Sequence, residues 1–282
     1  MTTNQLEEKL KNTPFLFRPQ LTIPKNINFG LEIELEDIDF DIVESKVKKQ
    51  FGESFKVKTD KSLRRDHNAE IVTPVLRNTK ETWIMLKKLT KLIQVLQPHF
   101  DNCSFQINYD ANLLPTIEDK VRFLKLFAVY EDIIYRFSKG EDEHYRDSID
   151  EYASPIILQL KGYMNIADDR TMVEMFTHHK RYGINFKRNP KELIEFRTPN
   201  GTHNIVLWQN YITTFYYLLK LAANPKFSRR ELDEYINKFC NTYLLEIYEI
   251  EDIEKAQKLS DMLFHNSLDK RYFMKQYIGL NK

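Results

Sequence analysis

Between Phe29 and Glu36 the chain alternates strictly, with Leu31, Ile33 and Leu35 on one parity and Glu32, Glu34 and Glu36 on the other. Successive side chains of a strand point to opposite faces, so this period of two specifies a half-buried strand, apolar on one side and acidic on the other. Two further acidic clusters read as short strands. One runs from Asp60-Lys61-Ser62 to Ala69-Glu70-Ile71-Val72, the other is Leu193-Ile194-Glu195-Phe196-Arg197. Positions i and i+2 share a face, which sets Glu195 beside Arg197 as it sets Glu32 beside Glu34. A sheet that turns several acids and an arginine to one side needs something charged there. Divalent cations with phosphate meet that demand, because hard cations take oxygen ligands and arginine matches phosphate oxygens.

Each cluster also has a plainer reading. Glu32, Glu34, Glu36 and Asp37 make a solvated acidic face, and Glu70 ends a strand facing water. Glu195 and Arg197 make a surface ion pair worth ~0–1 kcal/mol. Gln106 and Asn108, two apart in the strand Ser104–Tyr109, are either a wet face or amide oxygens that complete a metal shell. Asn200-Gly201 is a turn under both readings.

Periodicity elsewhere sets the fold class. A helix is expected over 40–51, strands over 55–58 and 69–74, and a long helix from Thr79 to Gln97. In that helix Trp83, Leu86, Leu89 and Ile93 recur at helical spacing and Pro98 supplies the stop. A second long helix is expected over Ile117–Phe137 and a shorter one over Arg170–His179, capped by Asp168 or Asp169. Strands Tyr182–Lys187 and Leu193–Thr198 are joined by a turn at Arg188-Asn189-Pro190-Lys191. Helices then fill 204–223, a segment opened by a Ser228…Glu231 capping box, 250–264 and 267–278. The expectation is an α+β chain with an N-terminal arm over 1–27, a catalytic core over 28–205 and a helical C-terminal portion over 206–282 packed on that core. Loop 139–150 either closes over the site or is an ordinary solvated loop.

Composition removes several classes. Lys and Arg total 42 against 41 Asp and Glu, a net charge of +1 that gives no electrostatic case for nucleic acid. Cys103 and Cys240 build neither a disulfide framework nor a tetra-cysteine zinc site. No apolar run approaches the ~18 residues of a membrane span. The opening Met-Thr-Thr-Asn-Gln-Leu-Glu-Glu lacks the pattern of a signal peptide, and a cytoplasmic, non-membrane protein is expected. No Walker glycine–lysine loop is present.

The order of the clusters resembles that of the amidoligase family, part of the carboxylate–amine ligase group that includes glutamine synthetase and glutamate–cysteine ligase. The shared pattern opens with a G-x-E-x-E strand, here Gly30, Glu32 and Glu34. It continues from D-x-S to E-I-V-x-P, here Asp60, Ser62, Glu70, Ile71, Val72 and Pro74. It closes with R, N and E-F-R before a small turn and threonine, here Arg181, Asn185, Glu195, Phe196, Arg197, Asn200, Gly201 and Thr202. Tyr130-Glu131, Arg146 and Tyr152-Ala153-Ser154-Pro155 are similar to further family positions, and the likeness spans residues 28–205. It departs at Gln106 and Asn108, where the family usually carries two histidines.

The resemblance implies a curved, mostly antiparallel sheet of glutamine synthetase-like catalytic type, with ATP and Mg²⁺ (or Mn²⁺) on its concave face. It implies an ATP-dependent ligase that forms an acyl phosphate on a substrate carboxylate and lets an amine displace the phosphate. The product is an amide or isopeptide bond on an amino acid, a peptide or a protein side chain. Glu32, Glu34, Glu70 and Glu195 are the implied metal ligands, with Gln106 as a neutral one. Arg197 stabilises the transferring phosphoryl group, and Arg181 binds nucleotide phosphate or substrate carboxylate. Asn185 and Ser62 join the nucleotide contacts, and Asp60 either orients the metal shell or deprotonates the amine. The alternatives are a catalytically inactive relative that binds nucleotide or a partner, and a phosphotransferase of the same fold.

Overall fold

Alternation decides the first element. In a computed structural model describing residues 8, 10–60, 62–63, 67–177, 179, 181–187, 192–238 and 251–279, strand β1 (Asn28–Glu36) buries Leu31, Ile33 and Leu35 completely, as their parity requires. There follow α1 (Phe40–Phe51), β2 (Lys56–Lys58), β3 (Asn68–Val72), β4 (Leu76–Arg77) and α2 (Lys80–Leu96). After β5 (Phe105–Asp110) come five helices: α3 (Ile117–Val129), α4 (Glu131–Ser138), α5 (Ile149–Tyr152), α6 (Ile157–Met164) and α7 (Asp169–Met175). Strands β6 (Ile184–Lys187) and β7 (Leu193–Phe196) lead to α8 (Ile205–Ala222), α9 (Arg229–Lys238), α10 (Ile253–Leu263) and α11 (Ser267–Tyr277). The turn expected at 188–191 and Cys240 lie outside the described residues.

Polar side chains start the helices where the sequence places them. Thr79 accepts from Thr82 N, Asp168 from Thr171 N and Asn204 from Val206 N, each satisfying an amide the helix leaves open. The long helix expected over 117–137 is two helices. Tyr130 leaves helical geometry (ψ 18°) and Glu131 opens α4. Glu131 is buried, and its carboxylate accepts from the amides of Ile156 and Ile157 at 2.6 and 3.1 Å, at the start of α6.

The described strands form one antiparallel sheet in the order β2-β3-β1-β5-β7-β6, with β4 joined to β1. Its two edges, β2 and β6, do not meet, so the sheet is open. The apolar face rests on helices. Phe105 stacks on Trp208 of α8 at 4.8 Å, Phe196 on Phe215 at 4.2 Å, and Phe123 of α3 meets Phe196 edge-on at 5.7 Å. Each buried phenylalanine contributes about 1.5–3 kcal/mol, so α8 is part of the sheet's core. The other face is left to polar side chains.

The arm is anchored too. Leu10, Leu21 and Ile23 are buried. Gln209 of α8 accepts from Arg18 N at 2.9 Å and donates to Arg18 O at 2.5 Å, while Arg18 pairs with Asp269 of α11. Among the described residues, no helix is long and apolar enough to cross a membrane.

Candidate functional site

Antiparallel register carries the acidic parity of β1 onto both neighbouring strands. Glu34 faces Glu70 of β3, and Glu32 faces Gln106 of β5. Further out, Asn108 faces Glu195 of β7, which faces Asn185 of β6; on the other wing Glu70 faces Lys58 of β2. The four acids expected as ligands therefore share one face. Solvent does not explain them, because Glu34, Glu70 and Glu195 are buried, as are Gln106, Asn185 and Arg197.

A buried carboxylate without partners costs several kcal/mol, roughly, so its neighbours define what the site is. Glu34 accepts from Ser104 N at 2.6 Å and Gln106 Nε2 at 2.7 Å. Burial still pushes its carboxyl above the usual range, against those bonds and the nearby Arg146. Glu195 accepts from Asn185 Nδ2 at 2.9 Å, lies 3.3 Å from Arg197 Nη1, and touches the Lys187 ammonium. Lys187 also reaches Glu32 Oε1 at 3.1 Å and Asn108 Oδ1 at 3.3 Å. Lys58 lies 3.1 Å from Glu70 and 3.7 Å from Glu32. Among the described residues, four acids are thus met by four cations: Lys58, Lys187 and Arg197 by contact, and Arg146 through its charge on Glu34.

Glu32 and Glu70 form the most loaded pair. Burial, then the hydrogen bond and charge of Glu32, push the Glu70 carboxyl up to about 8. Burial works on Glu32 as well, but the bond from Glu70 and the charges of Lys187 and Lys58 draw it down to about 2. Among the described residues, the buried Glu70 Oε1 has no hydrogen-bond partner. Two carboxyls sharing one proton are a place where a hard divalent cation can stand instead.

The remaining expected residues divide. Arg197 donates from Nε to Tyr152 O and from Nη1 to Gln106 Oε1, both at 2.9 Å. Gln106 therefore shows its oxygen to a guanidinium and its nitrogen to Glu34. Asn185 Oδ1 is buried and has no hydrogen-bond partner among the described residues. Ser62 Oγ donates to Asp60 at 2.7 Å, and Asp60 acts on Glu34 through its charge. Arg181 is exposed, and its main-chain oxygen accepts from Ser154 N.

Three contributors stand outside the expected ligand and phosphate set. Lys187 follows Asn185 at i+2, and Lys58 ends β2 opposite Glu70, so the parity that pairs Glu195 with Arg197 could have found both. Arg146 is buried and donates to the main-chain oxygens of Arg197, Thr198 and Pro199 at 2.7, 3.1 and 3.1 Å. Burial pushes its guanidinium down to about 10. Asn200 donates to Asp142 and to His144 O, and Thr202 to Glu141, so loop 139–150 is pinned to the chain that leaves β7.

A cavity of about 200 Å³ opens over Gly30, lined by Glu32, Val72, Asn108, Asp110 and Leu193. A Cβ on Gly30 would meet only the Asn108 Cβ, at 3.9 Å, so glycine here keeps space open. Among the described residues, no three His, Cys, Asp or Glu side chains are placed to hold a metal by themselves. No known family model matches the chain, and no curated protein matches it.

Proposed function

We propose that this chain is an ATP-dependent carboxylate–amine ligase of the amidoligase kind, on a glutamine synthetase-like sheet whose polar face binds ATP and substrates. The Glu32–Glu70 pair carries the reading. Two acids from adjacent strands converge on one lysine, Lys58, beside a cavity, with the Arg197 guanidinium on the same face. A structural ion pair has no use for two like charges in contact, whereas a site for a cation and phosphate does.

The donors fit a Mg²⁺ or Mn²⁺ ion at this pair and not at Glu195. Glu32 and Glu70 would hold it through carboxylate oxygens, and when bound it supplies Lewis-acid neutralisation of the ATP phosphates. Lys58, whose side chain is 54% exposed, can turn out into solvent when a cation takes its place beside Glu70. Both oxygens of Glu195 are already engaged by Lys187, Asn185 and Arg197. Arg197 is fixed from two sides, so it needs no reorganisation as charge develops on the transferring phosphoryl group. In the first step a substrate carboxylate oxygen bonds the γ-phosphorus and ADP leaves. In the second an amine nitrogen bonds the acyl carbon and phosphate leaves with its oxygen.

The one-for-one match of acids and cations favours a rival, a non-catalytic relative that binds nucleotide or a partner. Mg²⁺-dependent release of ADP and phosphate, measured against pooled carboxylates and amines with product masses, separates the two. A condensed mass that requires both substrates and vanishes in Glu32→Gln supports the ligase. ATP binding without turnover supports the rival, a stable phosphorylated product makes the chain a phosphotransferase, and no ATP binding ends both catalytic readings and leaves only a partner-binding relative.

A further inference from the structure

We infer that Lys187 is a built-in cation that replaces a metal ion at Glu195, so that the site keeps one exchangeable cation position, at Glu32 and Glu70. This deepens the ligase reading and rests on it for the metal at that second position. The Lys187 ammonium lies among three oxygens from three strands: Glu195 of β7 in direct contact, Glu32 Oε1 of β1 at 3.1 Å and Asn108 Oδ1 of β5 at 3.3 Å. Two carboxylates and an amide oxygen make a hard-cation ligand set. Here a side chain fills it.

The two lysines of the face differ in how firmly they are held. Lys58 is half-exposed, at 54% of its side chain. The Lys187 side chain is only 21% exposed, and its partner Glu195 is fully buried. Moving Lys187 away would leave Glu195 with one cation, Arg197, and open the Glu195–Glu32–Asn108 triad. An ammonium also differs in kind from a metal: it offers a fixed single charge and hydrogen bonds, with no ligand exchange and no Lewis acidity. Glu195 is accordingly a positioning residue that holds Lys187 and Arg197 side by side, and the number of bound metals is smaller than the number of acids suggests.

The test is the Mn²⁺ stoichiometry of the nucleotide-free full chain, read from the electron paramagnetic resonance of free Mn²⁺, with melting temperature as a second readout. Lys187→Met is expected to bind one more equivalent than wild type, and to melt lower without Mn²⁺ and recover with it. Lys187→Arg is expected to gain none. Asn108→Asp adds an acid to the triad while leaving the ammonium in place, and is also expected to gain none. An unchanged count in folded Lys187→Met, or an extra equivalent in Asn108→Asp, overturns the inference. The wild-type count judges the ligase reading separately: zero removes its metal, while a gain in Lys187→Met still shows what Lys187 replaces.

Discussion

Gln106 donates its amide nitrogen to Glu34 Oε1 at 2.7 Å from the adjacent strand, and this bond bears on the substitution of glutamine for histidine in the likeness drawn above. The same side chain donates to Ser104 Oγ at 3.0 Å and accepts from Arg197 at 2.9 Å, so the position requires donor and acceptor at once. An amide provides both, and so does a neutral imidazole. Gln106→His is therefore expected to keep most of the stability. Gln106→Leu leaves two buried groups short of a partner and is expected to lose about 1–3 kcal/mol each. Urea unfolding of the two variants checks this, and equal losses would remove Gln106 as a bridge.

Glu195→Gln leaves the Lys187 ammonium and the Arg197 guanidinium against a neutral amide. Breaking a buried pair on one side costs about 3–5 kcal/mol, and removing both partners costs less. The double variant Glu195→Gln with Lys187→Met should therefore be more stable than the sum of the single losses allows. A double-mutant cycle from urea midpoints reads the coupling, and purely additive losses would show that the pair is not coupled.

Stability of the metal-free protein should fall as pH rises from about 5 to 8. Folded Glu70 keeps its proton up to about 8, whereas the unfolded side chain releases it near 4.5. The folded state then binds more protons throughout that window, so raising the pH favours unfolding, by at most about 1.4 kcal/mol per pH unit. Glu34, also raised by burial, adds the same sign. Glu32 acts elsewhere: its contribution is present above 4.5 and lost as pH falls toward about 2. Melting temperatures across this range should decline in wild type and flatten in Glu70→Gln; a rise from pH 5 to 8 would falsify the assignment.

Two glycines should respond in opposite ways. A Cβ at Gly183 would sit 2.5 Å from the Tyr135 hydroxyl and 2.7 Å from Thr198 Cγ2, so Gly183→Ala is expected to cost about 1–3 kcal/mol of overpacking. Gly30→Ala meets nothing closer than 3.9 Å and should be neutral or stabilising, by up to about 1 kcal/mol. Gly30→Leu, which fills the cavity, should keep the fold and lose ATP binding. Thermal melts with nucleotide titration distinguish these outcomes, and undiminished ATP binding in Gly30→Leu would place the nucleotide elsewhere.

The sheet face was legible wherever parity alone decides it. Leu31, Ile33 and Leu35 went inward and Glu32 and Glu34 shared a side because a strand leaves them no other choice. Which acid faces which cation was not legible, since the Glu34–Glu70 and Asn108–Glu195 registers join segments far apart in the chain. The break at Tyr130 carried no proline or glycine to announce it, and follows where Glu131 captures the amides of α6. That carboxylate and Arg146 resemble family positions, and both prove to bind main chain, holding the 139–156 segment around the site. The polar composition of the arm concealed its anchors, Leu10, Leu21 and Ile23.

That arm sets an order in time. The contact between Arg18 and Asp269 spans 251 positions, and Leu16 N donates to the Tyr272 hydroxyl across 256. During synthesis the arm leaves the ribosome long before its partners in α11 do. The sheet and α8 can associate while translation continues, but the arm must wait for α11. Docking of the arm therefore follows the synthesis of α11, and a segment made before the sheet settles after it.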